Sequence, residues 1–252
     1  MKLDKKNSIN NILEEKRVFP PSKEFAENSN VKSFEELLSL KKQSLDNPIK
    51  FWESFANSEI DWFEPFKTVL DSGNEPFFKW FTEGKLNITY NCLDRHIKNG
   101  LGNKNALIWE GEPGDERKYT YQELLKEVCK AANALKGLGI KKGDLVCIYM
   151  PMIPEATYAM LACARIGVIH SVVFAGFSSD ALASRIKGCD ASILITADEA
   201  PRGGKNTALK KSADAALDLV ERNTKMIVVR RTGGNISMKS GRDFGCMSLQ
   251  KR

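Results

Sequence analysis

The chain has 252 residues, 42% of them hydrophobic, and its 38 Lys and Arg against 32 Asp and Glu leave a net charge of +6. That is enough for one large or two small domains with a buried core. The mild positive bias suits small anionic ligands and argues against the dense basic stripe of a nucleic-acid binder, and no stretch reaches the ~18 uncharged apolar residues of a membrane helix.

The opening run MKLDKKNSINNILEEKR lacks the apolar segment of a signal peptide, so a cytoplasmic protein is expected. Residues 1–32, broken by Pro20-Pro21, read as a polar arm. Ser33 and Glu36 have capping-box spacing ahead of SFEELLSLKKQSL, and Asn47-Pro48 marks a second helix start. Residues 33–105 therefore form a helical segment. It is rich in aromatics from Phe51 to Phe81, which are expected to pack as a layer buried against the main body.

From 106 to 243 the pattern turns regular. ALIWE is a strand, Thr120 and Glu123 cap the helix YQELLKEVCKAANALKGLG, and DLVCIYM, VIHSVVF, ASILITAD and MIVVR are strands separated by helical stretches. Strands without polar alternation, each followed by a helix, predict an α/β fold: a parallel sheet with helices on both faces. Ligands of such sheets bind beyond the carboxyl ends of the strands. Both FAGFSSD and ADEAPRGGK fall at that edge.

Chemical signals are sparse. Cys92, Cys129, Cys147, Cys163, Cys189 and Cys246 include no CxxC pair and read as reduced core thiols rather than a disulfide framework or a zinc site. His170, inside an apolar strand, reads as a core residue, and Glu155, after Pro154, as a complement to its helix dipole. The glycines of GLGIKKGD follow a helix and precede a strand, the reverse of a phosphate-binding loop. In ADEAPRGGK, Arg202 offers a planar fork, Lys205 a mobile charge, and Gly203-Gly204 a backbone without Cβ. Such a turn either clamps a phosphate or is simply solvated; local residues alone do not yield a reaction.

The residues from YMPMIPEA to RGGK, with LNITYNCLDRHI upstream and VVRRTGGNI downstream, closely resemble the AMP-forming acetyl-CoA synthetases of the adenylate-forming superfamily. The resemblance covers roughly Ser33 to Asp243 and implies the first part of the large N-terminal domain of such an enzyme. It implies formation of acetyl-AMP from acetate and ATP with magnesium, then displacement of AMP by CoA. The partners implied are these small molecules, with no nucleic acid and no membrane. In the family, the loop matching Arg202, Gly203, Gly204 and Lys205 contacts CoA. Two positions depart from the family pattern: Lys205 stands where Arg is usual, and Ala175 where glycine is usual.

The family's ATP phosphate loop, acetate pocket and adenylation lysine would lie beyond Arg252, so no catalytic and no metal-binding residue is expected here, and the chain alone is expected to be inactive. Residues 244–252, FGCMSLQKR, carry no family character; a one-nucleotide frameshift is expected there, because restoring one base yields family-like text. A non-catalytic CoA-binding module and a subunit of a split enzyme stand as alternatives.

Overall fold

The computed structural model describes residues 18–246; residues 1–17 of the expected arm and 247–252 of the expected tail lie outside them. Two compact units share the chain, one of Met1–Glu59 and Thr68–Trp80, the other of Ile60–Lys67 and Phe81–Arg252.

The described residues of the first unit carry three helices. The six-residue α1 (Lys23–Asn28) interrupts the expected arm, capped by the Ser22 hydroxyl, which accepts the Phe25 N–H; so short a run offers too little periodicity to be read. Helix α2 (Phe34–Asp46) starts where the spacing predicts, with Ser33 Oγ accepting the Glu36 N–H. The Glu36 carboxylate accepts from the Lys32 amide, one residue before the cap, at 2.7 Å. Helix α3 (Pro48–Glu59) follows with proline in its first position and Asn47 Oδ1 accepting the Lys50 N–H. Strand β1 (Thr68–Asp71) also belongs to this unit, while β2 (Lys79–Thr82) runs across the boundary.

The aromatics do not form the expected buried layer. Phe63, Phe77 and Phe78 are 59%, 70% and 51% exposed. They pack in small groups instead: Phe51 sits 4.8 Å from Phe55 in the first unit, and Trp62 5.2 Å from Phe66 in the second. The reason is local, since α2 and α3 together bury only Ala56 and so present no closed apolar face to receive the rings.

In the second unit β3 (Asn105–Glu110) and β4 (Glu116–Thr120) form an antiparallel hairpin with Trp109 opposite Arg117. Thr120 and Glu123 complete a full capping box at the start of α4 (Tyr121–Gly137). Next come β5 (Leu145–Met150), α5 (Pro154–Arg165), β6 (Ile169–Phe174), α6 (Ser179–Gly188) and β7 (Ile193–Ala197). A short hairpin, β8 (Ala200–Arg202) and β9 (Lys205–Thr207), precedes α7 (Leu209–Asp218), β10 (Lys225–Val229) and β11 (Asp243–Gly245).

The main sheet has the order β11-β10-β7-β5-β6 with every pairing parallel. Right-handed crossovers put α5, on the way from β5 to β6, on one face. They put α6 and α7 on the other, because those connections run the opposite way across the sheet. The α/β fold read from the sequence is therefore the one present. Val146, Ile148, Ile193, Leu194, Met226 and Val228 lie between the helix layers, each at most 1% exposed, and burial of each such side chain contributes ~1.5–3 kcal/mol. Strand β6 is one of the two edges, and its Ile169, Val172 and Phe174 are more than half exposed. Phe244 and Gly245, at the start of the expected tail, pair beside Ile227 and Val228.

Candidate functional site

The chain leaves β5 toward β6 on one side and leaves β7 toward β10 on the other, so the sheet reverses direction between β5 and β7. Loops diverging above such a point leave a crevice. Here it is a cavity of about 380 Å³ at the carboxyl edge. It is lined by the loop after β5, the end of β6, the β8–β9 hairpin, Arg231 after β10, and the turn between β3 and β4.

Arg202 ends β8 and lines this cavity. Its guanidinium lies 5.3 Å from the centre of the Phe174 ring. The approach depends on Gly176, where a Cβ would stand 2.4 Å from the Phe174 ring and 2.9 Å from Arg202 Nη1. Gly203 and Gly204 form the turn, both at positive φ (59° and 71°), as the two central residues of a type I′ turn require. Lys205 is the cross-strand partner of Arg202 and is exposed, outside the cavity lining. Two like charges directly opposite repel one another, and among the described residues neither makes an ion pair.

The other walls come from residues the sequence reading did not single out. Trp109 donates its indole N–H to the Met152 carbonyl at 2.7 Å and lies under two guanidinium groups, Arg117 at 4.5 Å and Arg231 at 4.9 Å. Arg117 is held by a bidentate pair with Glu155, at 2.6 and 3.0 Å. The role of Glu155 thus extends beyond its helix dipole. Burial pushes the Arg117 pKa down, but the Glu155 contacts more than offset it and the net direction is up. Arg231 pairs with Asp115 at 2.8 Å, and that hydrogen bond holds the Asp115 carboxyl below the usual aspartate range. Arg202 is therefore the pocket guanidinium without a carboxylate. The Tyr149 hydroxyl reaches the Ala175 and Phe177 carbonyls, at 3.1 and 3.0 Å, and so holds the FAGF turn. A signal for these residues did exist in the sequence: aromatic and cationic positions at the ends of strands whose loops share one edge.

The remaining titratable groups lie elsewhere. His96 packs on Tyr121 at 4.9 Å, and His170 on the edge strand is pushed down by partial burial. Burial pushes the Cys147 and Cys163 thiols up to about 12, as inert core thiols require. Cys92, by contrast, is exposed. Among the described residues no group of three or more His, Cys, Asp or Glu side chains could hold a metal ion, and no helix is long and apolar enough to cross a membrane.

A family profile described as "AMP-binding enzyme" matches residues 93–242, more than half of the chain. The chain belongs to the AMP-binding enzyme family. A second profile, "Acetyl-coenzyme A synthetase N-terminus", matches residues 38–92 of this AMP-binding family member. Among curated relatives, the acetyl-coenzyme A synthetase of Streptomyces avermitilis is 50% identical over 94% of this chain and 35% of its own length. That of Mesorhizobium japonicum is 52% identical over 80% of this chain and 32% of its own length. The chain thus spans about a third of the length of the relatives it matches. A solved structure, the acetoacetyl-CoA synthetase from Streptomyces lividans, superposes with a TM-score of 0.75 over 84% of this chain and 32% of that one, at 23% identity. At that identity the likeness concerns the fold.

Proposed function

We propose that the chain is the N-terminal part of an acetate–CoA ligase and that its cavity receives the phosphorylated nucleotide end of CoA. The observation that carries this reading is the facing pair Arg202 and Lys205, two cations opposite one another with no carboxylate of their own. A phosphate between them converts a repulsive pair into two charge-assisted contacts. The Phe174 and Trp109 rings and the ~380 Å³ cavity suit a nucleotide beside that phosphate.

In the whole ligase, an acetate oxygen would attack the ATP α-phosphorus and expel pyrophosphate. The CoA sulfur would then attack the acyl carbon and expel AMP, with its thiol proton passing to solvent or a base. This chain's residues would supply orientation for the second half. Arg202 and Lys205 fix the nucleotide, so the thiol arm reaches the acyl carbon from a held position. In this reading ATP and magnesium are held mainly by the remainder of the ligase. On the same reading, helices α1–α3 and the short strands β1 and β2 precede the α/β part, in a cytoplasmic enzyme.

Calorimetric titration tests the site. CoA should bind the chain more tightly than 3′-dephospho-CoA, and Arg202→Ala should weaken CoA by ~10-fold or more, the loss expected of a charge-assisted hydrogen bond. Equal affinity for both ligands, unaltered by Arg202→Ala, would sink the proposal. A second polypeptide co-purifying with the chain would favour a split enzyme, and CoA binding with no such partner a stand-alone module.

A further inference from the structure

Directly before the β8–β9 hairpin lie two adjacent acids that face no ligand-shaped space yet touch both sides of the cavity. The Asp198 side chain is fully buried. Its Oδ1 accepts from the backbone amides of Glu199 (2.8 Å), Arg231 (2.7 Å) and Thr232 (3.3 Å), and its Oδ2 from that of Gly233 (2.9 Å). A carboxylate taken out of water is costly unless its lone pairs are satisfied, and here backbone from the loop after β10 satisfies most of them. Glu199 makes the next link. Its Oε2 accepts from Thr232 Oγ1 at 2.6 Å and from Asn206 Nδ2, on β9, at 3.2 Å. Space for that carboxylate exists because position 234 is glycine; a Cβ there would stand 2.6 Å from the Glu199 carboxyl carbon.

The two loops so joined carry the two pocket guanidiniums. Arg231 sits within the backbone that Asp198 grips. Arg202 sits in the hairpin that Glu199 ties to that same backbone. On the reading of the cavity as a CoA site, we propose that Asp198 and Glu199 are a positioning pair. Asp198 sets the 230–234 loop, Glu199 couples that loop to β9, and together they present Arg202 and Arg231 to one ligand at a fixed separation. Neither acid touches the ligand. Their effect is on how well the cations discriminate a phosphate.

The test uses the whole chain with Asp198→Asn and, should the buried change impair folding, Glu199→Ala at a half-buried position. Hydrogen exchange without ligand is the first readout. Either variant should speed exchange in 199–207 and 230–234 together, while the β5 and β7 amides stay as slow as in the parent chain. The second readout is the affinity ratio of CoA to 3′-dephospho-CoA, which should fall at least ~3-fold in each variant, because lost positioning costs the phosphate contact first. Exchange confined to one segment, or both ligands weakened equally with the ratio kept, would overturn the proposal. If the parent chain binds no CoA, the ligand reading fails, and the exchange experiment alone then decides whether the acids couple the two loops.

Discussion

Position 203 shows how a turn can depend on the residue type at a single position. Gly203 lies at φ 59°, a region that costs an L-residue ~1–2 kcal/mol. Gly203→Val should lower the unfolding free energy by about that amount in urea titrations, and the like-charged Arg202–Lys205 pairing should open with it. A different residue-scale device lies under α7. Lys210 is 1% exposed and pairs with Asp214 and with the fully buried Asp243, which also holds Arg242. Burial pushes the Asp243 carboxyl up, but Arg242, the Lys239 amide and Lys210 outweigh it and hold the group below its ordinary value. A depressed folded pKa contributes stability that is fully present above the unfolded value of ~3.9 and is lost as pH falls through the folded one. Acid titration followed by circular dichroism should therefore show stability falling below pH ~4, with a flatter dependence in Asp243→Asn. Lys210→Met, which strips a partner from a buried carboxylate, should cost ~3 kcal/mol at neutral pH.

Elements were legible in proportion to how far local chemistry determines them. The capping box at Thr120 and Glu123 appears at the spacing that predicts it, and Thr120→Ala should cost ~1 kcal/mol in thermal or chemical unfolding. The apolar runs of β5, β7 and β10 were readable because both faces of a central parallel strand are covered. Strand β4, ERKYT, was not, because its charged residues belong to a hairpin with one wet face. Strands β8, β9 and β11 span three residues each, too few for any period to show. Strand β6 reads as core in sequence and stands at the edge in space, since strand order follows from the crossovers and not from composition. Its exposed Val172 makes edge-to-edge association the expected hazard. Val172→Lys should raise the concentration at which light scattering begins; an unchanged threshold would count against that view.

Across the whole molecule, the cavity is an assembly of distant pieces. The Gly204 amide donates to Glu112, 92 residues away, and Arg231 meets Asp115 across 116 residues. The chain spans about a third of its relatives' length, and acetate-dependent exchange of pyrophosphate into ATP should stay at background for these 252 residues alone. Exchange above background would mean that the adenylation site is complete within them. The sequence by itself determined the α/β class, the helix starts at Ser33, Pro48 and Thr120, the resemblance to acetyl-CoA synthetases, and the Arg-Gly-Gly-Lys turn, all carried by neighbours in the chain or by short spacings. Only the tertiary structure decided which cation lacks a carboxylate, that Trp109 lies under two arginines, and that buried Asp198 grips the loop after β10. Each of these depends on which strand ends lie side by side, and that is settled by the direction of the crossovers and the packing of the sheet, over separations that no local pattern encodes.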